Sequence, residues 1–180
     1  MTGARYTPAG VYQPDFWTVG SHDFKYHHRV GSSNTTINTA WVANLGVWVP
    51  VQLDVYCTVY EWWWVNGTLT TAHNVDFGLY NEDFTKIQTL GATAGATTAS
   101  VLVNTSTWAN LVVAPGNYYM AFSDSSTRNL ICSADALGIY ASSGCFEQSS
   151  VGTLPATATP VLYNRAFLPL FGMHMMTVVP

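Results

Sequence analysis

From Val51 the chain alternates strictly. Val51, Leu53, Val55, Cys57 and Val59 are small and apolar, and Gln52, Asp54, Tyr56, Thr58 and Tyr60 stand between them. Successive side chains of a strand point to opposite faces, so this pattern predicts a strand with one face in a core and the other outward. The run then meets Trp62, Trp63 and Trp64 and stops at Asn66-Gly67, a strong two-residue turn signal. If period 2 continues without a bulge, Tyr56, Tyr60, Trp62 and Trp64 share the outward face.

The same logic predicts a second strand over Asn74–Tyr80, with Val75, Phe77 and Leu79 inward and Asp76 outward. Asn81-Glu82-Asp83 is a turn, and Phe84–Leu90 can return as its hairpin partner. Short strands follow at Val101–Val103, Leu111–Val113, Tyr118–Phe122 and Leu130–Ser133, with Pro115-Gly116 as a turn. Leu130–Tyr140 has room for one turn of helix. Gly138–Thr159 is rich in Ser, Gly, Ala, Thr and Pro and has little periodicity. The last strand spans Ala166–Met175, with Pro169 marking it as an edge. Residues 1–40 differ in character. They hold Pro8, Pro14, three His and the polar run Gly31–Thr36, and read as an arm or a set of loops with room for one short strand, of the kind that orders against a neighbour. Frequent turns between short strands predict an all-β, antiparallel, jelly-roll-like sandwich over residues 41–180, preceded by an extended N-terminal arm over 1–40.

Composition adds a reason to expect neighbours. Charged residues are 9% of the 180, against a usual value of about 25%, while aromatics reach 14%. Tyr and Trp supply contact area at low entropic cost, so such a surface suits a protein whose faces are covered. The net charge is −4 with six Lys and Arg and no basic run, which argues against a nucleic-acid partner. Pro50, Asp54, Glu61 and the period-2 pattern interrupt the apolar stretch Trp41–Val65, so no membrane helix is expected there. The first residues lack the apolar core of a signal peptide. Cys57, Cys132 and Cys145 form no close pair and read most simply as buried thiols, with one bridge left open.

Candidate chemistry is sparse. His22, His27 and His28 with Asp23 are the densest group of metal-ligating types, but no helix holds their spacing, so a polar loop is the expectation. His73 and His174 stand alone and read as packing or interface residues. Asp54 could meet Glu61 or Asp76 as a hydrolytic pair only if the fold brought them together. No nucleophile elbow, zinc-protease helix or phosphate-binding glycine loop is present, so no enzyme, metal or cofactor is expected. The aromatic row Tyr56, Tyr60, Trp62 and Trp64 is the candidate contact face. It could meet a subunit or a sugar, or be covered by the chain itself. Asn34, Asn66 and Asn104 head glycosylation-type triplets that in a bacterial or phage source are simply turn residues.

Four segments, taken in order, resemble a known group. They are Asn74-Val-Asp-Phe-Gly-Leu-Tyr80, Leu111-Val-Val-Ala-Pro-Gly-Asn-Tyr-Tyr-Met-Ala121, Thr153-Leu-Pro-Ala-Thr-Ala-Thr-Pro160 and Leu168-Pro-Leu-Phe-Gly172. The chain is similar over about residues 41–175 to small virion proteins of tailed bacteriophages. Those proteins carry a "VDVGIY" strand, a "pG-YYlA" strand, an "LPaTaTP" loop and a terminal "PlfG" strand. The sequence departs from them where Phe84-Thr-Lys-Ile replaces a Gly-rich turn, and in the run Trp62–Trp64. The resemblance implies a sandwich that decorates a tail or head and implies no catalytic residue. The expected function is therefore a virion structural protein, homo-oligomeric, with a trimer or higher ring as the guess, in contact with other virion proteins. A carbohydrate-binding module for host-surface glycans is the alternative.

Overall fold

The computed structural model describes residues 23–27, 35–67, 72–95, 101–105 and 112–177. In chain order the strands begin with β1 (Asp23–His27), β2 (Thr35–Trp41), β3 (Leu45–Leu53), β4 (Cys57–Val65) and β5 (Asn74–Tyr80). Next come β6 (Lys86–Thr89), β7 (Thr93–Ala94), β8 (Val101–Thr105), β9 (Val112–Val113) and β10 (Gly116–Asp124). After β11 (Arg128–Ala134) stands one helical turn, α1 (Ile139–Ser142). Then follow β12 (Phe146–Gln148), β13 (Val161–Leu162), β14 (Phe167–Pro169) and β15 (Phe171–Thr177).

Among the described residues every strand pairing is antiparallel. A seven-stranded sheet has the order β13-β12-β3-β10-β5-β6, with β7 also on β5. A five-stranded sheet has the order β1-β15-β4-β8, with β9 on β4. A three-stranded sheet, β14-β11-β2, closes one end. The expected antiparallel sandwich is present.

The alternation from Val51 to Val59 belongs to two strands, not one. Val51 and Leu53 end β3 in the seven-stranded sheet, and Cys57 and Val59 begin β4 in the five-stranded sheet. The chain turns over at Asp54–Tyr56, where Val55 is 45% exposed. Both strands turn their small apolar residues to the shared core, so the sequence period runs on through the turn.

That core is aromatic. Phe77 of β5 lies 5.4 Å from Trp62 and 5.3 Å from Trp64 of β4, and 5.2 Å from Phe122 of β10. Phe122 in turn stacks on Phe171 of β15 at 5.4 Å, so the two large sheets meet ring against ring. Offset and tilted ring pairs of this kind add about 0.5–1.5 kcal/mol each beyond their buried area. Trp41 of β2 joins the small sheet to the same core through Phe122 and Phe167.

Other expectations resolve differently. The stretch read as an arm carries β1, which edges the five-stranded sheet, and β2, which pairs with β11. Residues 1–22 lie outside the described residues. Asn66-Gly67 makes no hairpin: Asn66 bridges to Leu130 and the Gly67 N–H donates to the Asn129 carbonyl. A Cβ on Gly67 would fall 2.8 Å from the Asn129 backbone, so glycine is required by close approach rather than by a turn. The segment 166–175 divides at Leu170 into β14 and β15, which lie in different sheets. Pro169 sits in β14, an edge strand, where a missing N–H costs no ladder bond.

The aperiodic stretch Gly138–Thr159 holds α1 and β12, and its residues 151–158 prove to be a cover. Val151, Leu154 and Ala158 form a second, smaller core with Trp48, Tyr80 and Ala121 on the outer side of the seven-stranded sheet. This covering buries β5 on both faces, Asp76 included. Val151, Leu154 and Ala158 stand three and four residues apart, as on a helix, but the segment forms neither helix nor strand and follows the sheet beneath.

Candidate assembly interface

The outward face of β4 depends on one residue. Glu61 pairs with His174, but Val59 pairs with Met175, so Tyr60 is an extra residue in β4 and forms a β-bulge. Side-chain parity inverts across it. Cys57 and Val59 face the core before the bulge, and Trp62 and Trp64 face it afterwards. Trp62 is 0% exposed and stacks on Phe77 with an interplanar angle of 20°. Trp64 is 3% exposed, and its Nε1–H donates to Asn66 Oδ1 at 3.0 Å. The expected row of Tyr56, Tyr60, Trp62 and Trp64 is therefore not one face: the two tryptophans are core residues. Tyr56 stays outside, 41% exposed in the crossing turn. Tyr60 is half-buried at the bulge, with its ring 5.8 Å from that of His174. Trp63, which the alternation had set inward, is half-buried on the outer side.

The outer face that results has an apolar end. Thr58 of β4 is in register with both Met176 of β15 and Val112 of β9. Met176 and Val112 are each 47% exposed, and Tyr56 and Val55 follow directly in the chain toward the same end. Along the face the next positions are polar and matched: the Glu61 carboxylate contacts His174 Nδ1. The row is thus apolar at one end and polar beside it. Contiguous exposed apolar residues with a polar margin are the usual surface of a contact site.

The remaining candidates are dispersed. β1 holds Asp23 opposite Met176 and His27 opposite Gly172, at the two ends of one extended strand. His22 and His28 lie outside the described residues. Among the described residues no three His, Cys, Asp or Glu stand together as metal ligands. Asp76 is on the outer side of the seven-stranded sheet and Glu61 on the outer side of the five-stranded sheet, with the core between them, so they form no hydrolytic pair. Asp54 lies in the exposed crossing turn. His73 and His174 are both buried, and His174 contacts Glu61 as already described.

Cys57, Cys132 and Cys145 are free and buried, and burial pushes each thiol up to about 12. Asn66 is buried against Trp64, Asn104 of β8 is in register with Trp62, and Asn34 is outside the described residues. The bulge has no sequence signature, since nothing in Tyr60 marks it as the extra residue. The Trp62-Trp63-Trp64 run was the indirect signal, because three consecutive tryptophans cannot all be solvent-facing or all core in a regular strand.

No protein-family model matches the chain, and no curated protein is similar to it in sequence. Among solved structures, the VP2 subviral particle of infectious bursal disease virus is similar, with a TM-score of 0.34 and 11% identity over 87% of this chain. The structures of the Gx and Gt strains of the same virus give TM-scores of 0.30 and 0.28, with 10% and 12% identity over 99% of this chain. The chain spans 41% of the first of those chains and 47% of the other two. A likeness at this level assigns no function.

Proposed function

We propose that the chain is a non-enzymatic structural protein of a virion, which assembles with copies of itself and with other virion proteins on a phage tail or capsid. The observation that carries this is the exposed apolar row Tyr56, Val112 and Met176 on a chain with 9% charged residues. Burial of such a row in an interface is favourable at about 25 cal/mol per Å² of apolar surface. A symmetric ring of copies would satisfy it without a second kind of partner.

The segments that resemble tailed-phage virion proteins support the same reading by their placement. The first and second supply β5 and β10, which pair directly. The third is the cover, and its Leu154 N–H donates to Asp76 of the first. Three of the four segments therefore fall on one contiguous unit of structure, and the fourth lies across β14 and β15 of the other two sheets. The test is to purify particles from the source and image them with a label fused to this chain. Regular labelling of tail or head supports the reading; a chain that never accompanies particles overturns it.

The glycan-binding reading has lost Trp62 and Trp64 to the core and rests on Tyr56, Tyr60 and Trp63. Binding on a glycan array that Tyr56→Ala abolishes, with the fold intact, would restore it.

A further inference from the structure

The cover over the seven-stranded sheet is fastened in an unusual way. Its middle residues bond to the β5–β6 hairpin at several points. Tyr80 Oη donates to the Pro155 carbonyl at 2.6 Å, Lys86 N–H to the Ala156 carbonyl at 2.8 Å, and Ala158 N–H to the Phe84 carbonyl at 3.0 Å. Lys86 Nζ donates to the Leu154 carbonyl at 3.1 Å, and Thr85 bridges to Thr157. One fastening is of another kind: the Leu154 N–H donates at 2.9 Å to Oδ2 of Asp76, a carboxyl that the same cover seals from solvent. Opposite Asp76 in register stands Ser123 of β10, also fully buried. The groups acting on Asp76 are Lys86 and the N–H groups of Leu154, Gly91 and Phe77, and burial together with Asp76 raises the nearby Tyr80 phenol.

We propose that residues 151–158 form a cover latched by Asp76, held closed most firmly in acid and loosened as the pH rises. Opening would bare Trp48, Tyr80 and Ala121 on a face that closure keeps dry.

The reasoning is linkage. Burial raises the Asp76 carboxyl above its ordinary value, and the Leu154 N–H, the Gly91 N–H, the Lys86 charge and the Phe77 N–H offset this only in part. An open cover returns the carboxyl to water and to its ordinary value near about 3.9. The closed state therefore holds the proton more tightly than the open state. Between the ordinary and the raised value, each pH unit favours opening by up to about tenfold. Below that window closure has its full advantage, and above it the loss is complete. Local openings of this kind are read by amide exchange.

The experiment is hydrogen exchange by NMR, with each amide corrected for its intrinsic pH dependence. The Leu154 amide is compared with the core amide of Phe122 in β10, which reports the whole molecule. Protection of Leu154 should fall by up to about tenfold per pH unit within the window and stay below that of Phe122 throughout; Phe122 exchanges through global unfolding, which also frees Asp76, so it carries the same slope from a higher level. Asp76→Asn should flatten the Leu154 profile. Tyr80→Phe should lower Leu154 protection at every pH with the slope unchanged. If Asp76→Asn does not fold, the wild-type Asp76 carboxyl is titrated directly, and its midpoint should coincide with the upper end of the protection window. A flat Leu154 profile in the wild type, Leu154 protection equal to that of Phe122 at every pH, or a slope that survives Asp76→Asn overturns the proposal.

Discussion

Replacing Trp62 separates two arrangements of the same strand. If β4 ran without a bulge, Trp62 would stand in solvent, and Trp62→Ala would change stability by no more than about 0.5 kcal/mol, as exposed substitutions do. With Tyr60 as an extra residue, Trp62 is 0% exposed and stacked on Phe77, which also touches Trp64, Phe122 and Phe171. Truncation then removes a large ring from a closed core and leaves a cavity that rigid neighbours cannot fill. Such Trp→Ala changes cost about 3–5 kcal/mol. For a chain of this size that is a fall in Tm of roughly 2–4 °C per kcal/mol. Urea unfolding gives the cost directly, through a lower midpoint at an unchanged slope. Trp63→Ala, at the half-buried neighbour, should cost less than half as much. Equal costs at positions 62 and 63, or a Trp62→Ala protein as stable as the wild type, would refute the bulge and the core built on it.

The bulge makes a sharper demand on Tyr60. Deleting it should leave the protein folded, because Val59 and Glu61 then follow each other in a regular ladder opposite Met175 and His174 and Trp62 and Trp64 keep their inward faces. One residue inserted between Glu61 and Trp62 instead turns both tryptophans outward and should unfold it, and Tyr60→Ala should cost about 1–2 kcal/mol as a half-buried truncation; circular dichroism and thermal melting distinguish them. Tyr80→Phe removes the hydroxyl bonded to the Pro155 carbonyl and should lower stability by about 0.5–1.5 kcal/mol, read by the same melts. The three cysteines should resist a thiol reagent at mildly alkaline pH in the native state and react fully in denaturant. Burial raises each thiol to about 12, so the reactive thiolate is scarce until the chain unfolds or the pH nears that value.

Much of the fold was legible because one face of each strand meets the core. Val75, Phe77 and Leu79 of β5 are inward as their spacing predicts, and β10 contains the expected Tyr118–Phe122 run. The alternation was less informative where two elements shared it. Val51 to Val59 kept its period through a turn between sheets, since both strands face the same interior. The bulge at Tyr60 escaped for the opposite reason: one inserted residue shifts parity without changing composition. The cover was hidden too, because Gly152, Pro155 and Pro160 keep the segment irregular and Val151, Leu154 and Ala158 find their places only on the sheet beneath them. Its presence explains why Asp76, outward by parity, is nonetheless sealed from water. The candidate face moved accordingly. Tyr56 and Tyr60 were visible in the sequence, while Val112 and Met176 join them only through pairing of distant strands.

The central claim is that this face meets another subunit. Val112 and Met176 are half-exposed and flank Thr58, so Val112→Asp with Met176→Asp places two charges in the apolar row without entering the core. Light scattering coupled to gel filtration, over a wide range of concentrations, measures the outcome. The wild type should be a defined oligomer and the double variant a folded monomer with an unaltered circular dichroism spectrum. A wild type that stays monomeric at every concentration, or a double variant that assembles as the wild type does, would contradict the account.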